Sequence, residues 1–185
     1  LGALRSRYSW LGDFGQAVVR GDVDALIERC KTFKPEQLDA LLSGWAAGLE
    51  LGLPVERQVI DWDEARAMSA GGVSFGSHSV SHKILTKLTP GEIAQEVEDS
   101  RDVLAQHRVN SVPVFCYPNG DWSADIASAV QAAGYKAATT TEFGYEAQTP
   151  INRFGLKRVN VHDHITCTDS LFAFHLAGYN NMRSR

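Results

Sequence analysis

The stretch Val73-Ser74-Phe75-Gly76-Ser77-His78-Ser79-Val80-Ser81-His82 joins a short apolar run to two histidines four residues apart. The run fits a buried strand, and the histidines fall just past its end. If the chain from His78 is helical or tightly turned, residues four apart share a face. Both imidazoles could then reach one ion about 2.0–2.1 Å from each ring nitrogen. Zinc, or another divalent metal, is the first candidate. Six histidines in a chain of this length also produce such a spacing by chance. Spacing alone therefore leaves open a pair of solvent-exposed or capping histidines.

Downstream the pattern alternates. Leu85-Thr86-Lys87-Leu88 leads into Thr89-Pro90-Gly91-Glu92, where Thr89 can cap, Pro90 suits the first helical position and Glu92 completes a capping box. A helix to about His107 follows, with Ile93, Val97, Val103 and Leu104 as its apolar stripe. Glu96, Glu98, Asp99, Arg101 and Asp102 read as its solvated face. Val112–Cys116 is a second buried strand, delivering the sharply turned loop Tyr117-Pro118-Asn119-Gly120-Asp121-Trp122. A helix over Ala124–Ala133, closed by Gly134, precedes a third strand, Tyr135–Thr141, and a loop over 142–150. Leu156–Val161 is a further strand candidate ending in His162-Asp163-His164, and Thr168 or Asp169 can cap a last helix through Leu176. This β-α-β-α-β order predicts an α/β fold with a mostly parallel sheet. Ligands gather at strand ends in such folds, and His78 and Asn119 both fall there.

Upstream, residues 1–60 read as a helical segment or insertion. Asp22 can cap Val23–Phe33, and Pro35 opens a helix whose Leu38, Leu41, Leu42, Trp45 and Leu49 form a packing face. Leu51-Gly52-Leu53-Pro54 stops it, and a soft boundary falls near residue 60. Asp61-Trp62-Asp63-Glu64 is a capping box opening a short helix that ends at Gly71-Gly72.

The chain has 185 residues, 44% of them hydrophobic, and a net charge of −4. That is enough for one sizeable core and offers no basic stripe for nucleic acid. No window is long and apolar enough to span a membrane. Cys30, Cys116 and Cys167 are odd in number and far apart. They read as free thiols, a pattern that leans cytoplasmic although no targeting signal fixes a compartment.

Taken together, Gly76–His82 and, some thirty residues on, Phe115-Cys116-Tyr117-Pro118-Asn119-Gly120 resemble the polysaccharide deacetylase (NodB-homology) family. Weaker matching pieces are Trp62–Met68, Gly71–Gly76, Ile84–Thr89, Ala132–Lys136, Asn152-Arg153-Phe154 and Arg158, so that the likeness covers roughly residues 60–165. The resemblance implies an irregular (β/α) barrel, of which residues 61–185 are the C-terminal part. It also implies Zn2+ or another divalent metal, and hydrolysis of N-acetyl or O-acetyl groups on a polysaccharide or oligosaccharide. His78 and His82 match the family's two histidine ligands. Asn119 matches the loop position whose backbone N–H stabilises the oxyanion. His162 and His164 are weak matches to its general acid, or an added metal ligand, or ordinary loop residues. Tyr117, Trp122 and Tyr145 could face sugar rings, or pack in the core, and Arg153 and Arg158 could steer an acidic sugar or pair with nearby carboxylates.

The family's Thr-Phe-Asp-Asp-Gly motif, which supplies the base and the third ligand, has no match here. Asp22-Val23-Asp24 and Asp61-Trp62-Asp63 sit in helical contexts and take neither role. The expectation is therefore an N-terminally incomplete barrel, part of a longer enzyme, whose open edge favours homo-oligomers. The alternative is a non-catalytic carbohydrate-binding or regulatory relative. A third reading makes the histidine pair incidental in an unrelated α/β domain.

Overall fold

The computed structural model describes residues 22–49, 57, 59–162 and 166–178. The chain divides into two units, Leu1–Ile60 and Asp61–Arg185. In the first, α1 (Val23–Cys30) is capped by Asp22, whose side chain accepts from the Ala25 amide at 3.0 Å. It stops three residues short of the expected Phe33, because Thr32 and Phe33 donate to the Arg29 and Cys30 carbonyls in a tighter turn. Helix α2 (Pro35–Leu49) begins on proline, where the missing amide costs nothing.

The second unit opens with α3 (Trp62–Ala70). Asp61 and Glu64 form the reciprocal capping box that their spacing predicts, with both bonds at 2.9 Å. Then follow β1 (Phe75–Ser77), α4 (Pro90–Gln106), β2 (Ser111–Cys116), α5 (Ala124–Ala132), β3 (Ala137–Phe143), β4 (Leu156–Arg158) and α6 (Asp169–Leu176). Thr89 and Glu92 cap α4 as expected, and Thr168 caps α6.

All strand pairings are parallel, in the order β1-β2-β3-β4. The chain therefore has the α/β architecture its alternation predicts. Among the described residues the sheet is open, with β1 and β4 at its edges. Register places Ser77 opposite Phe115 and Cys116 opposite Thr139, so the C-terminal ends of β1 and β2 lie side by side. Beneath them the core gathers Leu85, Ile93 and Val97 with Phe115, Tyr117, Ile126, Val130 and Tyr135. The apolar stripe of α4 thus packs where the 3.6-residue period places it.

The three cysteines are free thiols. Among the described residues no helix is long and apolar enough to cross a membrane.

Candidate metal centre

Strand β1 ends at Ser77, and His78 is the first residue beyond the sheet. Its Nδ1 lies 2.8 Å from the carbonyl oxygen of Cys116, the last residue of β2. A carbonyl can only accept, so this bond places the proton on Nδ1 and leaves the lone pair on Nε2. Metal-binding histidines are commonly oriented in this way by a backbone carbonyl.

The chain then turns rather than forming a helix. Ser79 (φ 65°) and His82 (φ 59°) both adopt the left-handed region, and the His82 amide donates to Ser79 Oγ at 3.0 Å. Neither is glycine, so each costs roughly 1–2 kcal/mol that the surroundings must offset. The turn sets the two imidazoles 4.7 Å apart, centroid to centroid, at 79°. Two imidazoles sharing one tetrahedral ion at ordinary zinc–nitrogen distances have centroids about 5 Å apart. The separation of the two rings is close to that value. Among the described residues no group of three or more His, Cys, Asp or Glu is placed to hold a metal ion.

Helix α4 anchors this segment at both ends. Glu96 accepts the amides of Val80 and Ser81, each at 2.9 Å, and the Ser81 hydroxyl as well. Burial opposes ionisation of Glu96, but the bonds from Ser81 and Val80 and the charge of Lys83 outweigh it. They hold the carboxyl below the usual glutamate range. One turn on, buried Ser100 donates to the Val97 carbonyl at 2.9 Å and so accepts from Ser77, 2.5 Å away. Tyr135 closes this polar cluster, its hydroxyl donating to the same carbonyl at 3.2 Å. Glu96 belongs to the face read above as solvated, and the structure corrects that reading. It lies one position from Val97 and four from Ser100, at the border of the buried stripe, which is the signal that could have found it.

The loop after β2 is held close to β3. Asn119 is left-handed (φ 59°), and its carbonyl accepts the Thr141 hydroxyl at 3.2 Å. Tyr117 is only 2% exposed and donates its hydroxyl to the Phe154 carbonyl at 2.8 Å. Burial pushes that hydroxyl well above the usual tyrosine range and keeps it a neutral donor. Tyr117 is thus a core residue, whereas Trp122 and Tyr145 reach the surface. The Trp122 ring lies 6.0 Å from that of Tyr117, nearly parallel at 17°. Arg153 is exposed, and its carbonyl accepts the Ala138 amide. His162 is exposed, and its carbonyl accepts the Thr166 hydroxyl at 2.7 Å. His164 lies outside the described residues.

A parallel α/β sheet thus carries the paired imidazoles just beyond its strand ends, where α/β folds place their ligands. The family model for polysaccharide deacetylase matches residues 40–138, more than half of the chain. The chain belongs to the polysaccharide deacetylase family. It is 28% identical over 99 residues to the Bacillus subtilis (strain 168) protein YxkH, which carries this family's name; the match covers 54% of this chain and 35% of the relative. It thus spans about a third of that relative's length. Among solved structures it resembles BC0361, a polysaccharide deacetylase from Bacillus cereus, at 25% identity and a TM-score of 0.56. That match covers 67% of this chain and 38% of the other. A Bacillus anthracis protein, BA0330, shares the fold at 24% identity and a TM-score of 0.53, over 62% of this chain and 35% of its own.

Proposed function

We propose that the chain is the metal-holding part of a longer enzyme that hydrolyses acetyl groups from a polysaccharide or oligosaccharide, with Zn2+ or another divalent ion at His78 and His82. The observation that carries this reading is the perpendicular imidazole pair at the strand ends, with His78 Nδ1 spent on the Cys116 carbonyl and Nε2 left as the ligand nitrogen. The chemistry such an ion supplies is polarisation of the acetyl carbonyl and acidification of water.

The chain's own residues would frame that chemistry. The backbone N–H of Asn119, in the loop pinned by Thr141, is the donor assigned to the developing oxyanion. Trp122 offers an indole face to a sugar ring, with Tyr117 behind it. Arg153 would attract an acidic sugar, and His162 or His164 would return a proton to the leaving group. The base and the remaining ligand are assigned to the rest of the enzyme.

Acetate release from acetylated chito-oligosaccharides by the longer protein tests this. Release should stop on chelation, return with Zn2+, and fall at least about a hundredfold in His78→Ala. Turnover that survives both chelation and His78→Ala would overturn the reading.

A further inference from the structure

We propose that Glu96 is the positioning residue of the histidine pair, through bonds to the turn between the two imidazoles. This rests on the reading of His78 and His82 as metal ligands, and it assigns a role to a helix residue that touches neither of them in any bond described above. One carboxylate takes three donors, the Val80 amide, the Ser81 amide and the Ser81 hydroxyl, all from the two residues immediately before His82. Both residues lie between Ser79 and His82, the two left-handed positions. A turn with that backbone has no glycine to make it self-sufficient, so an outside anchor must over-determine it. Glu96 provides one, and Ser100 fixes the approach through Ser77 on the same helical face. The helix therefore presents a two-point clamp, with Ser77 held before His78 and Ser81 held before His82.

The groups around Glu96 fit this role. It is partly buried, and Lys83 is the cation near it. Glu98 and Asp99, its neighbours on α4, are exposed. No salt bridge to Glu96 competes for its oxygens among the described residues. Glutamine keeps one acceptor oxygen but replaces the other with a donor, so Glu96→Gln should hold the turn only in part.

The test compares the unsubstituted chain with Glu96→Ala, Glu96→Gln and Ser81→Ala, first without metal. Hydrogen exchange at the Val80 and Ser81 amides and magnetisation transfer between the His78 and His82 ring protons report the turn directly. In Glu96→Ala the two amides should exchange at least about tenfold faster and the ring-to-ring signal should vanish, while amides in β2 and in the middle of α4 stay protected. Zn2+ affinity should fall by about 10–100-fold, the range for residues that orient metal ligands. Glu96→Gln should lie between, and Ser81→Ala should lose only the hydroxyl's share. If Glu96→Ala fails to fold, Glu96→Gln and Ser81→Ala carry the same comparison. Unchanged Val80 and Ser81 exchange, or Zn2+ affinity within twofold of the unsubstituted chain despite a released turn, would overturn the proposal. If the unsubstituted chain takes up no Zn2+ while the exchange and ring signals respond as expected, Glu96 stands as the residue that sets the imidazole pair, and the same Zn2+ comparison in the longer enzyme decides the metal reading: no uptake there overturns it.

Discussion

Alanine at Phe115 is expected to lower the unfolding free energy of the Asp61–Arg185 unit by about 3–5 kcal/mol. The side chain is fully buried in the middle of the core. It meets Tyr117 edge to face at 5.6 Å and Tyr135 at 5.4 Å. Truncation removes both aromatic contacts and leaves a cavity between α4 and the sheet that only a rearranged backbone could fill. Against a total stability of roughly 5–15 kcal/mol for a domain of this size, that is a large fraction. Phe115 also precedes Cys116, whose carbonyl orients His78, so the loss reaches the imidazole pair. Urea unfolding of the variant, beside Phe115→Leu as the milder control, reads the difference. A loss below about 1 kcal/mol for alanine would mean that this part of the core is not packed as described.

Gly120→Ala should be the most damaging change in the loop after β2. Gly120 has φ +83°, and a Cβ there would stand 2.1 Å from Thr141 Oγ1 and 2.7 Å from the Thr141 amide nitrogen. The second atom is strand backbone and cannot swing aside. Conformation and clash together should cost about 2–5 kcal/mol, or displace the loop from β3 with loss of the bond from Thr141 to the Asn119 carbonyl. Gly91, in the first turn of α4, has nothing within 4 Å of its built Cβ. Gly91→Ala should therefore be neutral or stabilise by up to about 1 kcal/mol. Equal midpoints for the two variants in denaturant would contradict this account of the loop.

Local signals made much of the fold legible. Asp61 with Glu64, and Thr89 with Pro90 and Glu92, state where two helices begin, because the bonds that cap a helix are made within four residues. The run Val112–Cys116 marks a strand by its apolar density, and the structure extends it only to Ser111. Short strands carry few residues to mark their ends. The apolar run predicts a first strand over Val73–Gly76, which spans Phe75–Ser77, and a last one to Val161, which ends at Arg158. Tyr135–Thr141 predicts a strand that begins instead at Ala137, because the Tyr135 ring belongs to the core while its backbone lies before the sheet.

The closeness of the two imidazoles was legible in their spacing, and its support much less so. Four-residue spacing announces a shared face for a helix, but here the same proximity comes from a turn with two left-handed residues, which neither serine nor histidine signals. Glu96 reaches Ser81 across fifteen residues, and Ser100 reaches Ser77 across twenty-three. Contacts of that separation follow from how α4 packs on the sheet, and a pattern of charge on the helix surface does not contain them. Tyr117 shows the converse, since a loop aromatic that could face a ligand is spent on the core and on the Phe154 carbonyl.

Calorimetric titration of Zn2+ into the chain at neutral pH, beside His78→Ala and His82→Ala, tests the central claim most directly. One ion per chain, with affinity at least about tenfold weaker in each variant, is the result expected of a pair that shares the metal. Binding heats unchanged by either substitution would show that these two histidines do not hold it.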